Sequence, residues 1–467
     1  MTALPELVEL REHFRINRAQ VIDDISALVG IPSVSALPEH RTDIDHAATW
    51  LADRLRRAEV PTVEVMQTAG HPIVWGSWPA PPGRPTILIY GHYDTQPAGP
   101  NEEWHSDPFK ASVREGRLYG RGATDDKGNL MIPVAVTEAY ARLATRPPVG
   151  LIFLFEGEEE VGSPSLVDFI ASHSDRLRAD YAVSADSAMW GHDEPSLILG
   201  SRGLVALQLD AYGAPSDLHS GLHGGLAPNP LNALASVLAS MKAPNGRITI
   251  EGFDTGIRPL ADLHERDHPF DAGTYSDSVG IPAIVGDPAY SPVERNSIRP
   301  TLDVNGIWGG FQGTGSQMII PAEGHAKVSC RLVADQDPNE VIHAIRSHVA
   351  RHCPPGVTME VRSIIESSRA YTIDPHHHGF SMAREALAAS YGRDPHLIYM
   401  GASLPVAAIV KSMLDIETVF LAWEMPDENL HGPNEFLRLE NLDRGLMVYA
   451  DFFRRLGEQA HEYESDE

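Results

Sequence analysis

The stretch Thr86-Ile87-Leu88-Ile89-Tyr90-Gly91-His92-Tyr93-Asp94 sets a short apolar, β-rich run directly before a histidine and an aspartate. A second such run, Val149 to Phe155, leads straight into Glu156-Gly157-Glu158-Glu159-Glu160. Between them Asn129 to Leu143 carries apolar residues at helical spacing, so the order is strand, helix, strand. Runs apolar on both faces belong to strands covered on both sides, and the alternation predicts an α/β layer built on a largely parallel sheet. Tyr181-Ala182-Val183, followed by Asp186, repeats the arrangement. In each case acids or a histidine follow the carboxyl end of a strand, where open α/β sheets place their sites.

Outward from this core, Glu6 to Leu28 and Asp43 to Ala58 read as helices, the first stopped by Gly30-Ile31-Pro32-Ser33 and the second by Pro61. From Gly203 the pattern changes. Leu204 to Tyr212 and Ala326 to Val333 alternate like half-buried antiparallel strands, and Pro228 to Met241 and Pro338 to Ala350 read as helices. The segment from Glu251 to Pro300, rich in Gly, Pro and Asp, reads as long loops. Near Tyr371 the α/β texture returns. The expected division is a discontinuous domain from 1 to 203 and 371 to 467, interrupted by an α+β insertion from 204 to 370.

The chain has 467 residues with 37 Lys and Arg against 64 Asp and Glu, a formal charge of −27, which repels phosphate backbones and anionic lipid and argues against a nucleic-acid partner. Hydrophobic residues at 42% and charged residues at 22% suit a folded globular protein of two or three domains. Cys330 and Cys353 are too few for a disulfide framework and read as small hydrophobes in a reducing compartment. Met1 to Asp24 lacks the basic start and apolar run of a signal peptide, and the longest apolar stretch is cut at Glu156. The expectation is a soluble, cytoplasmic protein with no membrane association and an acidic tail from Glu458 that frays.

The chemistry concentrates in Gly91 to Asp94, Tyr119 to Gly128, Glu156 to Glu160 and Ser184 to Asp186. Oxygen and imidazole donors without thiolates suit zinc, manganese or cobalt in a catalytic site rather than a closed structural zinc. This many carboxylates can serve two cations, with one carboxylate shared and an activated water between them. Of an adjacent pair such as Glu159 and Glu160, one can ligate while its neighbour takes the water's proton. The competing reading of Glu158 to Glu160 is a solvated acidic turn.

These segments, in this order, resemble the di-metal peptidase family of carnosinases, cytosolic dipeptidases, glutamate carboxypeptidases, aminoacylases and desuccinylases. The nearest branch is that of the carnosinases and cytosolic dipeptidases, on Leu118-Tyr119-Gly120-Arg121-Gly122-Ala123-Thr124-Asp125-Asp126-Lys127-Gly128 and Asp217-Leu218-His219-Ser220-Gly221. The resemblance implies a zinc-exopeptidase-like catalytic domain interrupted by a lid and dimerisation domain, and two divalent ions per subunit. Asp125 would bridge them, His92 and Asp186 completing one site and Glu160 and His431 the other. His431 stands in Asn429-Leu430-His431-Gly432-Pro433-Asn434-Glu435, which matches the family's late histidine.

By the same resemblance Glu159 is the general base acting on a bridging hydroxide, and Asp94 orients His92. The resemblance also implies a cis peptide between Asp125 and Asp126. It further implies that His219 would reach the partner subunit's site in a homodimer and stabilise the oxyanion, while Arg331 would take the substrate's free carboxylate; a strand salt bridge is its alternative. Gly401-Ala402-Ser403-Leu404-Pro405 occupies the substrate loop with Ala402 in place of a second glycine, which narrows the backbone's freedom for positive φ. Glu158 replaces the apolar residue that often precedes the glutamate pair. The activity implied is hydrolysis of dipeptides or short peptides. The alternatives are an N-acyl amino acid deacylase of the same family and, from another class, an inactive peptide-binding protein.

Other signals are weaker. His264-Glu265-Arg266-Asp267-His268 fits the H-E-x-x-H pattern of single-zinc proteases, yet it is strongly polar and Pro269 follows at once, whereas such motifs sit within a longer packed helix. Ser403 mimics a nucleophile elbow, but Pro405 stands where its second glycine belongs. No phosphate-binding glycine motif is present. His376-His377-His378 reads as a solvated turn rather than a metal site.

Overall fold

The computed structural model describes residues 5–144, 146–259, 270–365 and 367–458. They fall into two compact units: one drawn from Met1–Leu197, Ile373–Leu397 and Ile409–Glu467, the other from Ile198–Thr372 and Ile398–Ala408. The His264 to His268 motif and the tail beyond 458 lie outside the described residues.

The first unit is built on a six-stranded sheet in the order Thr62–Met66, Ile73–Trp78, Gly150–Glu156, Thr86–His92, Tyr181–Ser184, Thr418–Phe420. Its first two pairings are antiparallel and the other three parallel, a mixed α/β sheet that is mostly parallel. Ile87, Leu88, Ile89 and Tyr90 are buried, as are all residues of Gly150–Glu156, which is why these strands read as unbroken apolar runs. The helix Lys127–Ala144 is sequestered along most of its length against the first helix, Leu7–Val29, and the last, Leu439–Glu458. Gly128 is required there, since a Cβ would meet the Ala123 carbonyl oxygen at 2.2 Å.

Register decides where the site forms. His92 pairs with Glu156, Tyr90 with Ser184, and Phe420 with Ser184, so four neighbouring parallel strands end within two residues of one another. The loops leaving them carry His92 and Asp94, Glu159 and Glu160, Asp186, and the segment from Leu421 to Glu435.

The second unit holds a four-stranded antiparallel sheet ordered Thr301–Gly309, Glu323–Leu332, Gly203–Tyr212, Thr358–Ser363. Val205, Leu207 and Leu209 join Ala326, Val328, Cys330 and Leu332 in a core with Leu234, Val237, Ile345 and Val349 from the helices Pro230–Ser240 and Pro338–His352. Because side chains alternate along a strand, Ser329 and Arg331 turn to the opposite face. The segment read as long loops is broken by two short helices, Ala272–Val279 and Pro292–Ser297, each with a side-chain N-cap, from Asp271 and Ser291. Asx and Ser capping supplies the order that the Gly and Pro content concealed. Among the described residues no helix is long and apolar enough to cross a membrane.

Candidate active site

Asp125 is the centre of the site. One carboxylate oxygen lies 3.0 Å from His92 Nε2 and the other 3.0 Å from His431 Nε2. Around it, the donor atoms of three groups lie within 4.8 Å of one another: His92, Glu159 and Asp186; Asp125, Glu160 and His431; and Asp125, Asp186 and Glu424. Every residue read from the sequence as a ligand, with the proposed base and orienting acid, is in this cluster or touches it, and all belong to the first unit. Asp125 precedes a cis peptide bond to Asp126, as the resemblance implied.

The electrostatics match a cation site. Burial, opposed by His92 and reinforced by Asp186, Glu160 and Asp125, pushes the Glu159 carboxyl well above the usual range. Burial and Asp125 raise Glu160 to about 7, against the pull of His92 and His431. Burial with Asp186 and Asp125 pushes the Glu424 carboxyl well above the usual carboxylate range. Asp125 goes the other way: burial opposes ionisation, but hydrogen bonds to His431 and His92 hold it below the ordinary value. Five carboxylates therefore face two imidazoles in a mostly buried space, an imbalance that divalent cations would neutralise, and the nitrogen and oxygen donors fit zinc or manganese. The residues present fit the group the family uses.

A supporting layer fixes these groups. Asp94 lies 3.3 Å from His92 Nδ1, and its two oxygens also accept the Glu159 and Glu160 backbone N–H groups at 3.3 and 3.2 Å. Orienting the imidazole is thus half of its work; it also clamps the turn that bears both acids. Gln96 donates its amide to Glu160 Oε2 at 2.9 Å and its backbone N–H to Oε1 at 3.1 Å. Glu158 is buried rather than solvated, accepting the N–H groups of His71 and Ser165. Lys127 points its ammonium at the Leu28 and Ile31 carbonyls that end the first helix, and burial draws it down to about 7.

Glu435 closes the structure. Fully buried, it accepts from Arg121 Nη1 at 2.7 Å and from the backbone N–H groups of Gly122, Thr124 and Asp125 at 2.8, 3.0 and 3.2 Å. Arg121 Nη2 returns a bond to the His431 carbonyl at 3.0 Å. His431 itself sits at φ 60°, with Asn429 and Asn434 also left-handed, a conformation costing about 1–3 kcal/mol per residue that survives where neighbours over-determine it. Here Asn434 adds bonds to His105 and Glu103.

Glu424, Gln96 and Glu435 were missed as site residues. Glu424 had a usable signal: it follows its strand as Asp186 follows the neighbouring one, and Ser187 N–H donates to its carboxylate at 3.2 Å. Gln96 and Glu435 act on residues distant in the chain, which spacing does not reveal.

The remaining candidates belong to the second unit. His219 is exposed on the two-residue strand Leu218–His219, paired with Ile319–Ile320, and its Nδ1 accepts the Gly221 N–H at 3.1 Å. Arg331 donates to Ser403 Oγ at 2.7 Å; among the described residues it pairs with no carboxylate, which removes the strand salt bridge. Ala402 keeps a negative φ, so the absent glycine imposes no left-handed strain.

The model of Peptidase family M20/M25/M40 matches residues 88–455. Along the whole length the chain is 29% identical to the Cys-Gly metallodipeptidase dug1 of Schizosaccharomyces pombe, covering 96% of this chain and 98% of that one. It is 26% identical to the Beta-Ala-His dipeptidase of Rattus norvegicus, covering 96% and 95%. The structure of the di-peptidase Dug1p from Saccharomyces cerevisiae superimposes with a TM-score of 0.80 at 26% identity, covering 98% of this chain and 99% of that one. The chain belongs to Peptidase family M20/M25/M40, in the branch of the carnosinases and cytosolic dipeptidases. Members of this family depend on divalent metal ions.

Proposed function

We propose that the chain hydrolyses the peptide bond of dipeptides with two divalent cations, zinc, manganese or cobalt, for which Asp125 would be a common ligand. His92 and Asp186 would hold one, Glu160 and His431 the other. The observation that carries this reading is the pair of 3.0 Å approaches from the two Asp125 oxygens to two different imidazole Nε2 atoms. Bound there, the cations would polarise the scissile carbonyl and lower the pKa of water toward neutrality.

The chain's own residues do the proton work. Glu159, with its pKa raised by burial, takes a proton from the attacking water as oxygen adds to the carbonyl carbon, then gives it to the leaving nitrogen as the C–N bond breaks. Asp94 keeps Glu159 and Glu160 in register through their backbone N–H groups. Arg331 holds the free carboxylate of the substrate, and His219 from a second copy of the chain steadies the developing oxyanion. Apolar exposure supports a homodimer: Leu222, Leu226 and Met318 stand open around His219, and Val304 and Ile307 on the edge strand Thr301–Gly309. The relatives' names support dipeptides over N-acyl amino acids as substrates. Two free cysteines support a cytoplasmic setting.

Metal stoichiometry by elemental analysis tests the arrangement. Two ions per chain are expected, with His431→Ala retaining one and Asp125→Ala neither. A single ion in the parent protein, unaffected by His431→Ala, would refute it.

A further inference from the structure

We propose that Arg202 is a positioning residue for recognition of the substrate carboxylate, acting through the Gly401–Ser403 loop on Arg331. The proposal rests on the reading of Arg331 as the carboxylate holder. Arg202 grips the loop twice: its backbone N–H donates to the Ala402 carbonyl at 3.1 Å and its Nε to the Gly401 carbonyl at 2.6 Å. Its Nη1 reaches the Arg299 carbonyl at 3.4 Å, so one guanidinium staples two otherwise separate segments.

The next residue of the loop, Ser403, accepts the 2.7 Å bond from Arg331 Nη1. From the other side the loop is pressed by the helix Pro292–Ser297: a Cβ on Gly401 would lie 2.3 Å from the Asn296 carbonyl oxygen. Gly401 is therefore there for close approach, and Arg202 holds what that approach permits. These contacts also account for Ile398–Ala408 grouping with the second unit.

Charge points the same way. Arg202 is only 7% exposed, yet among the described residues neither it nor Arg331 pairs with a carboxylate. Burial draws Arg202 down to about 10 and the Arg331 charge adds to the fall, with Asp303 opposing. Two guanidinium groups close enough to repel, with only Asp303 to offset them and no carboxylate bonded to either among the described residues, would be stabilised by an anion that arrives from outside. Arg202 spends its donors on carbonyls and sets the loop; Arg331, bonded to Ser403 through Nη1, keeps its remaining donors for the ligand.

The test compares dipeptides with the same dipeptides carrying a C-terminal amide, on metal-loaded Arg202→Met, Arg202→Lys and Arg331→Met protein. For Arg202→Met, KM for the free-carboxylate substrates should rise about tenfold, a change worth about 1.4 kcal/mol, with kcat altered much less. KM for the amides should move by less than about threefold, below half that energy. Arg202→Lys, which keeps the charge but not the two-carbonyl grip, should show the same selective loss to a smaller degree, and it carries the test if the methionine variant does not fold. An unchanged KM, or equal losses on acid and amide, would overturn the role of Arg202 while Arg331→Met still discriminated the two substrates. Failure of Arg331→Met to discriminate them would instead overturn the underlying reading of Arg331.

Discussion

Replacing Glu435 by Gln tests how the late segment fixes the bridging aspartate. The carboxylate now accepts four N–H groups on two oxygens, two from Arg121 and Gly122 and two from Thr124 and Asp125. A glutamine keeps the shape but has one acceptor oxygen, so its NH₂ must face one pair of donors. Two buried donors left unmade cost about 1–3 kcal/mol each, giving about 2–6 kcal/mol, which brackets the roughly 3–5 kcal/mol lost when a buried ion pair loses one member. The penalty falls on the loop Gly120 to Asp125, so hydrogen exchange read by mass spectrometry across that segment is the direct assay. A local loss of about 3 kcal/mol corresponds to exchange faster by about a hundredfold in metal-free protein. Divalent affinity should weaken by about 10–100-fold, as when an outer partner of a ligand is lost. Unchanged exchange between residues 119 and 126, together with unchanged metal affinity, would refute the view that Glu435 holds Asp125 in place.

Other consequences are as direct. Glu159→Gln should lower kcat by about 10²–10⁴ while isothermal titration still finds both cations, because the residue is assigned to proton transfer; loss of metal together with activity would recast it as a ligand. Asp94→Asn loses an acceptor shared among His92 and two backbone N–H groups, and metal affinity should fall about 10–100-fold by titration. Asp210 is buried, but hydrogen bonds to Gln208, His325 and Arg362 hold its pKa below the ordinary value. As pH falls the unfolded chain therefore takes up the proton first, so this stabilisation is complete above pH ~4 and fades below it. Asp210→Asn should flatten the acid limb of a urea-unfolding series against pH, and an unaltered slope would count against the network.

The parallel core was legible because burial on both faces leaves a plain mark: Ile87 to Tyr90 and Leu151 to Phe155 are apolar without interruption. The acids that follow those strands were legible for the same reason, since a strand end in such a sheet fixes where the next polar side chain goes. The third dimension was less visible. Glu158 looked like part of a charged surface turn, but the N–H groups of His71 and Ser165 make its burial tolerable, and His71 lies far away in sequence. Glu435 stood beside an assigned ligand, yet its four donors come from a loop some 310 residues earlier. Ala402 raised an expectation of altered loop geometry that its negative φ removes. Short helices capped by Asp271 and Ser291 were hidden because Gly and Pro dominate their surroundings.

Cleavage of dipeptides by this chain should depend on cations held about Asp125. The most direct test is release of free amine from a panel of dipeptides and N-acyl amino acids, by protein stripped with chelator and by the same protein reloaded with zinc or manganese. The expected result is no turnover in the stripped protein and restored cleavage of dipeptides on reloading, with the acyl compounds left nearly intact. Cleavage that persists without metal, or silence toward every dipeptide with both cations bound, would contradict it.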